Sequence, residues 1–259
     1  MGFIQSYFSE KGEYRKSNQD ALAILKASTS SGEALLVTVC DGMGGYSQGE
    51  PASKYCIDRI VDWYKKRFPE IISSLTEGDW RNEVQPELDI LIQNINERLV
   101  QYGEKYDIKI GSTVTGMLLW QSIYLIFHVG DSRAYLITTE QVRQLTIDDS
   151  LVAQHVADGT LTMEEAKSFK KKNILTECVG VSKGVDVKFY LGSYFIGDCY
   201  LVCSDGFWHE IAESELKTKL SSEQIQSDED IRGCLQCLAK LIYERGERDN
   251  ATVVGIRVV

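Results

Sequence analysis

The 259-residue chain has little proline: only 3, scattered, with no Ser/Gly-rich stretch, internal repeat or low-complexity run around them. Nothing marks a linker, so the reading is one domain spanning residues 1–259. No apolar run approaches the roughly 20 residues that cross a bilayer. Met1 to Asp20 lacks the basic start and apolar core of a secretory signal, and the expected location is the cytoplasm. Positive charge is also short, with 28 Lys and Arg against 38 Asp and Glu, a net of −10. Such a surface repels nucleic acid and anionic membranes, which excludes both as expected partners. Acidity also serves solubility; the local alternative is a set of carboxylates gathered around cations.

Histidine is scarce as well. His128, His155 and His209 have no zinc-like spacing, and His128 is expected to pack within its strand. Cysteine is odd in number, at 7. Cys40, Cys199 and Cys203 lie in apolar, strand-like runs and read as buried thiols. Cys234 and Cys237 form a CxxC, but no second pair exists to complete a four-thiolate site. The surrounding segment has helical periodicity, so a core helix is expected. The glycines of DGMGGYSQGE lack the GK[ST] ending of a P-loop. They are read as letting the backbone pass close to a metal-bound water.

What is present is an ordered series of apolar runs. Strands are expected at Phe3 to Ser9, Ala21 to Lys26 and Ala34 to Cys40, then at Ser112 to Trp120, Ile123 to Val129 and Ala134 to Thr138. Two more are expected at Cys199 to Cys203 and Ala251 to Val258. Helices are expected over Gly49 to Arg67 (stripe Ala52, Tyr55, Cys56, Ile60, Trp63), over Glu87 to Tyr106 (stripe Leu88, Leu91, Ile95, Leu99, Tyr102) and over Asp228 to Arg245. The links at 121–122 and 131–133 are too short for crossover helices, so these strands are antiparallel hairpins. Residues 148–184 read as an excursion. Strands in antiparallel runs and helices in blocks predict an α+β fold with helices stacked on sheets.

Five aspartates have unusual settings. Asp41 follows ALLVTVC, Asp131 follows YLIFHVG, Asp205 follows YLVCS, Asp249 precedes NATVVGIRVV and Asp20 opens ALAILK. Any one of them reads as a strand-end turn residue. Together at a sheet rim they would repel, and could be ionised at once only with cations between them. Oxygen-only ligands select Mg²⁺ or Mn²⁺. Arg15, five residues before Asp20, carries a planar fork that matches phosphate oxygens; alone it also reads as a loop arginine.

These segments resemble the type 2C metal-dependent serine/threonine protein phosphatases in their bacterial form. The matching pieces are RKSNQDA (15–21), VCDGMGG (39–45), GSTVTGMLL (111–119), HVGDSRAYL (128–136), QLTIDDSLV (144–152), NILTECVG (173–180), LVCSDGFW (201–208) and RDNATVV (248–254). They follow the family's order across nearly the whole chain. The resemblance implies a four-layer sandwich, two central antiparallel β-sheets flanked by α-helices. It implies that Asp20, Asp41, Asp205, Asp249 and the Gly42 carbonyl hold two Mn²⁺ or Mg²⁺ ions. Asp131 would hold a third, weaker ion, Arg15 the substrate phosphate, and the excursion at 148–184 would be a flap beside the site. The implied reaction is hydrolysis of phosphoserine or phosphothreonine by a bridging hydroxide that two metal ions activate. Arg15, Asp41 and Asp205 would be its catalytic residues.

The implied partners are phosphoproteins written by a Ser/Thr kinase, acted on by a monomer. The chain departs from the pattern at Gln19, where many members have Glu, and at Met43, where animal members have His. It departs again at Asp149 and at Ser168–Phe169, where bacterial relatives usually have His and His-Pro. Two other readings stay open: a metal-dependent hydrolase of a small phosphoester, and a catalytically inactive phosphoprotein-binding module on the same fold.

Overall fold

A computed structural model of the chain describes all residues except 45–48, 76–78, 168, 170–173 and 222–224. Gly45, Asn173 and Ser168, singled out in the sequence, lie outside the described residues. Strands β1 (Phe3–Glu10), β7 (Arg133–Ile137), β8 (Val142–Gln144), β10 (Cys199–Cys203) and β11 (Ala251–Val258) form one antiparallel sheet, in the order β1-β11-β10-β7-β8. Strands β2 (Asp20–Thr29), β3 (Gly32–Gly44), β5 (Val114–Trp120), β6 (Ile123–Val129) and β9 (Lys188–Ser193) form the other, with β4 (Ile110–Ser112) paired to the end of β3.

Strand alternation builds the layers. Leu35, Val37 and Val39 of β3 meet Val254, Ile256 and Val258 of β11 between the sheets. Ala34, Leu36 and Cys40 point the other way, onto helices α1 (Gly49–Ser74) and α2 (Arg81–Tyr106). On the far side, Ala251, Val253, Leu201 and Cys203 pack under α6 (Glu213–Leu220) and α7 (Asp228–Glu244). Central strands are buried on both faces, which is why β3 and β11 read as continuous apolar runs. The result is the expected helix–sheet–sheet–helix sandwich. Between β8 and β9 the chain leaves the sheets and carries the short helices α3 (Leu151–Ala157) and α4 (Met163–Lys167).

Several boundaries differ from expectation. Helix α1 runs past Arg67 and through Pro69 to Ser74, because Phe68 and Ile71 continue its buried stripe. Helix α2 starts at Arg81, before Pro86, and its buried stripe runs through Ile92, Asn96 and Gly103 instead of Tyr102, which is exposed. The expected strand at 112–120 splits at Thr113 into β4 and β5, and β9 was not anticipated at all. The 121–122 turn is as expected for a two-residue hairpin, with φ of 49° and 62° at Gln121 and Ser122. His128 packs within its strand, its ring nitrogens engaging Thr115 Oγ1 and the Ile147 carbonyl. On α7, Cys234 packs against the core while Cys237 is exposed.

Candidate active site

The antiparallel register of β2 and β3 sets Asp20 directly opposite Asp41. Here β3 continues past its apolar run to Gly44, so Asp41 is held within a ladder and not in a free turn. Asp205 begins α5 (Asp205–Trp208) just after β10, and Asp249 stands just before β11; these two strands are neighbours. The two sheets meet here, because Ser204 Oγ donates to Asp20 Oδ2 across 2.8 Å. Asn250 completes the join. Its Oδ1 accepts from the Gln19 amide at 2.8 Å, and its Nδ2 donates to the carbonyls of Lys11 and Ser17 at 3.0 Å each. Those bonds fix the 11–19 loop, which carries Arg15 to the rim.

Arg15 Nη2 donates to Asp249 Oδ2 at 2.5 Å. Partial burial works against its charge, and Asp249, Asp41 and Asp205 together outweigh that effect. The β6–β7 turn that carries Asp131 is joined to Asp41 through the hydroxyls of Ser132 and Thr113. Ser132 Oγ and Thr113 Oγ1 share a 2.8 Å bond, and Thr113 Oγ1 accepts from the Asp41 amide at 2.9 Å. Gly42 has its own reason to be glycine: a Cβ there would sit 2.1 Å from the Gly49 carbonyl oxygen. The close approach it permits is between β3 and the start of α1.

The electrostatics follow from crowding. Two like charges about 4 Å apart repel by about 4 kcal/mol at an effective dielectric near 20. Burial, with Asp205 and Asp249 nearby, pushes Asp20 up to about 7. Burial and Asp249 push Asp205 up to about 6. Asp41 lies well above the usual carboxylate range, through burial and then Asp20, Asp205, Asp131 and Asp249. Asp131 is raised likewise by burial, Asp205 and Asp148, with Arg133 opposing. Asp20, Asp41, Asp131 and Asp205 thus lie near enough that each feels at least one other aspartate.

The residues fit divalent cations. Asp20 Oδ1 and Asp205 Oδ1 are buried without a hydrogen-bond partner in the protein. A buried, unpartnered carboxylate oxygen is costly unless a proton or cation meets it. The donors are all oxygens, which suits Mg²⁺ or Mn²⁺. Among the described residues, no group of three or more His, Cys, Asp or Glu stands close enough together to hold a metal ion as placed.

The sequence reading missed the supports around these residues. Ser204 and Asn250 adjoin Asp205 and Asp249, and their polar side chains at strand ends were the available signal. Arg133 forks onto Asp148, with Nε–Oδ1 at 2.9 Å and Nη2–Oδ2 at 2.6 Å, and lies over the Trp208 ring. Trp208 Nε1 in turn donates to the Asp131 carbonyl at 3.1 Å. His209 Nδ1 lies 3.9 Å from both Asp205 Oδ2 and Glu247 Oε2, close to the rim and not anticipated there.

The model of the protein phosphatase 2C family matches residues 13–226. The chain belongs to that family and is a protein phosphatase, an enzyme whose substrates are phosphoproteins. It is similar to the serine/threonine phosphatase stp of Listeria innocua, 32% identical over 222 residues, covering 85% of this chain and 84% of that one. It is also similar to the crystal structure of serine/threonine phosphatase Stp1 from Staphylococcus aureus, at a TM-score of 0.85 and 29% identity, covering 100% and 96%. The catalytic domain of serine/threonine protein phosphatase PstP, solved in complex with 2 manganese ions, matches at a TM-score of 0.75 and 27% identity over 100% of both chains.

Proposed function

We propose that this protein hydrolyses phosphoserine and phosphothreonine in proteins, using a pair of Mn²⁺ or Mg²⁺ ions held by Asp20, Asp41, Asp205, Asp249 and the Gly42 carbonyl. The observation that carries the reading is the meeting of aspartates from both sheets, two with buried oxygens unpartnered, beside the fork of Arg15. Ions bound there would lower the pKa of a water so that hydroxide is available near neutral pH, and would set positive charge against the phosphoryl oxygens. The chain's residues do the rest. Asp41 and Asp205 hold charge at the centre of the group, and Ser204 and Asn250 keep the sheets joined so that the geometry is set before substrate arrives. Arg15 is half exposed, so its fork can take a phosphate from solvent while Asp249 holds it in place.

Asp131 would anchor a third, weaker cation, since fewer carboxylates face it. Met43 offers no imidazole to protonate the leaving oxygen, so that proton comes from the Asp131 side of the site. The segment at 148–184 would serve as a flap beside the same site, within a single domain over 1–259. All seven cysteines are free, which suits a reducing cytoplasm in which a Ser/Thr kinase writes the phosphates removed here. No helix among the described residues is long and apolar enough to cross a membrane.

The test is steady-state hydrolysis of a phosphothreonine peptide against a nucleoside phosphate, both with Mn²⁺. The reading expects the phosphopeptide to have the higher kcat/KM. A preference for the nucleotide would move the protein to small phosphoesters, and absence of hydrolysis on both would make it a binding module.

A further inference from the structure

Asp149, the second residue of the 148–184 segment, is only 5% exposed. It grips the glycine before Asp131 at two points. The Gly130 amide donates to Asp149 Oδ2 across 3.0 Å, and the Asp149 amide donates to the Gly130 carbonyl across 2.7 Å. Asp149 Oδ1 accepts from Lys188 Nζ on β9. Its carbonyl accepts from the Thr176 amide at 2.8 Å, on the returning arm of the same segment. One buried residue therefore joins the β6–β7 turn, both arms of the excursion and β9: its carboxylate reaches the Gly130 amide and Lys188, and its backbone reaches the Gly130 carbonyl and Thr176.

Gly130 cannot be fixed by a side chain of its own. Its φ is +111°, and a Cβ there would lie 2.6 Å from Thr113 Cγ2. What orients the turn comes from outside, and Asp149 supplies both bonds. The next residue is Asp131, and the one after it, Ser132, reaches Asp41 through Thr113. A carboxylate can accept from the Gly130 amide and the Lys188 ammonium at once. The His usual at this position in bacterial relatives, with a single acceptor nitrogen when neutral, cannot.

We propose that Asp149 and Lys188 form a positioning pair that fixes the Gly130–Asp131 turn and thereby sets how tightly Asp131 holds its cation. The proposal rests on the reading of Asp131 as the anchor of a weaker ion. A loosely held ion with few protein ligands depends strongly on the orientation of each, and outer partners of metal ligands commonly change affinity by about 10- to 100-fold.

The sign of two substitutions separates positioning from simple charge. Asp149→Asn removes a negative charge from the neighbourhood, and Lys188→Met removes a positive one. Were the pair acting only through its field, the first would weaken cation binding and the second would strengthen it. Positioning requires both to weaken it: in Asp149→Asn the single amide oxygen must serve both the Gly130 amide and the unpaired Lys188 ammonium, and Met leaves a buried carboxylate unpaired, free to turn from Gly130. In the double variant Asp149→Asn/Lys188→Met, the neutral amide oxygen can keep the Gly130 bond without a counter-ion, so affinity should return most of the way.

The experiment is Mn²⁺ binding to the full chain by calorimetry and electron paramagnetic resonance, with thermal unfolding recorded for each variant. We expect the weak-site Kd to rise about tenfold in each single variant, with recovery in the double variant and the tight pair unchanged. Lys188 is on the surface side of the pair, so Lys188→Met keeps the test available if Asp149→Asn does not fold. Opposite signs in the two single variants, or an unchanged weak site in both, overturns the proposal. Asp131→Ala is the control: if it leaves the weak isotherm intact, the reading of Asp131 itself fails, and the proposal with it.

Discussion

Asp20 and Asp41 face each other across the β2–β3 ladder, two carboxylates in directly paired positions. Like charges so placed destabilise a sheet, and Asp205 adds to the repulsion from the other sheet. A chain that keeps this arrangement gains from it elsewhere, and cation binding is the gain the oxygen-only donor set supports.

Neutralising the centre should therefore separate stability from activity. Asp41→Asn and Asp205→Asn should each lower kcat by at least about 100-fold while leaving the fold intact. In chelator-treated protein both variants should melt at the same or a higher temperature than the parent, since each removes a repelled, desolvated charge. Turnover and metal affinity equal to the parent's would remove that residue from the ligand set.

A pH dependence follows from the same groups. Asp20 is raised to about 7 and Asp205 to about 6 from the ordinary aspartate value of 3.8. The folded state then holds protons that the unfolded state has released, so these groups favour folding below about pH 4 and that contribution is lost as pH rises to about 7. In chelated samples, the melting temperature of Asp20→Asn minus that of the parent should grow between pH 4 and 7, and saturating Mn²⁺ should shrink it. A difference that stays flat across that range would contradict the burial and repulsion described here.

Arg15→Lys keeps the charge and loses the fork. Losing one charged hydrogen bond of about 1.5 kcal/mol should raise KM for a phosphopeptide about tenfold. Metal affinity should stay as in the parent, which calorimetry would check. An unchanged KM would return Arg15 to the role of a loop residue paired with Asp249.

Asp131→Ala should keep two tightly bound metals and lower kcat. The loss should be greater on a phosphopeptide than on an activated aryl phosphate, whose better leaving group needs less help from a proton. Equal losses on both substrates would argue against proton delivery from this side. Loss of a tight metal would place Asp131 in the pair itself.

Much of this was legible in the sequence for local reasons. Runs such as ALLVTVC and YLIFHVG announce doubly buried strands, and each ends on an aspartate, so the rim residues could be named before the fold was known. What stayed hidden depended on distant pairing. β9 has half-polar spacing and is a strand because β6 offers it a ladder from Ile123 to His128. The direct opposition of Asp20 and Asp41 is a matter of register, which their separation in sequence does not give. Arg133 was visible as part of GDSR, yet its anchoring role needed Asp148 and Trp208, which are 15 and 75 residues further along the chain. Asp149 stood out only as a departure from the family's pattern; its partners Gly130 and Lys188 lie 19 and 39 residues away.

The most direct test of the account is phosphate release from a phosphothreonine peptide by protein stripped with a chelator, dialysed, and then titrated with Mn²⁺. The account predicts no turnover in the stripped protein and full recovery as the ion is restored, with folding unchanged by circular dichroism throughout. Undiminished turnover in protein shown to hold no metal would contradict it.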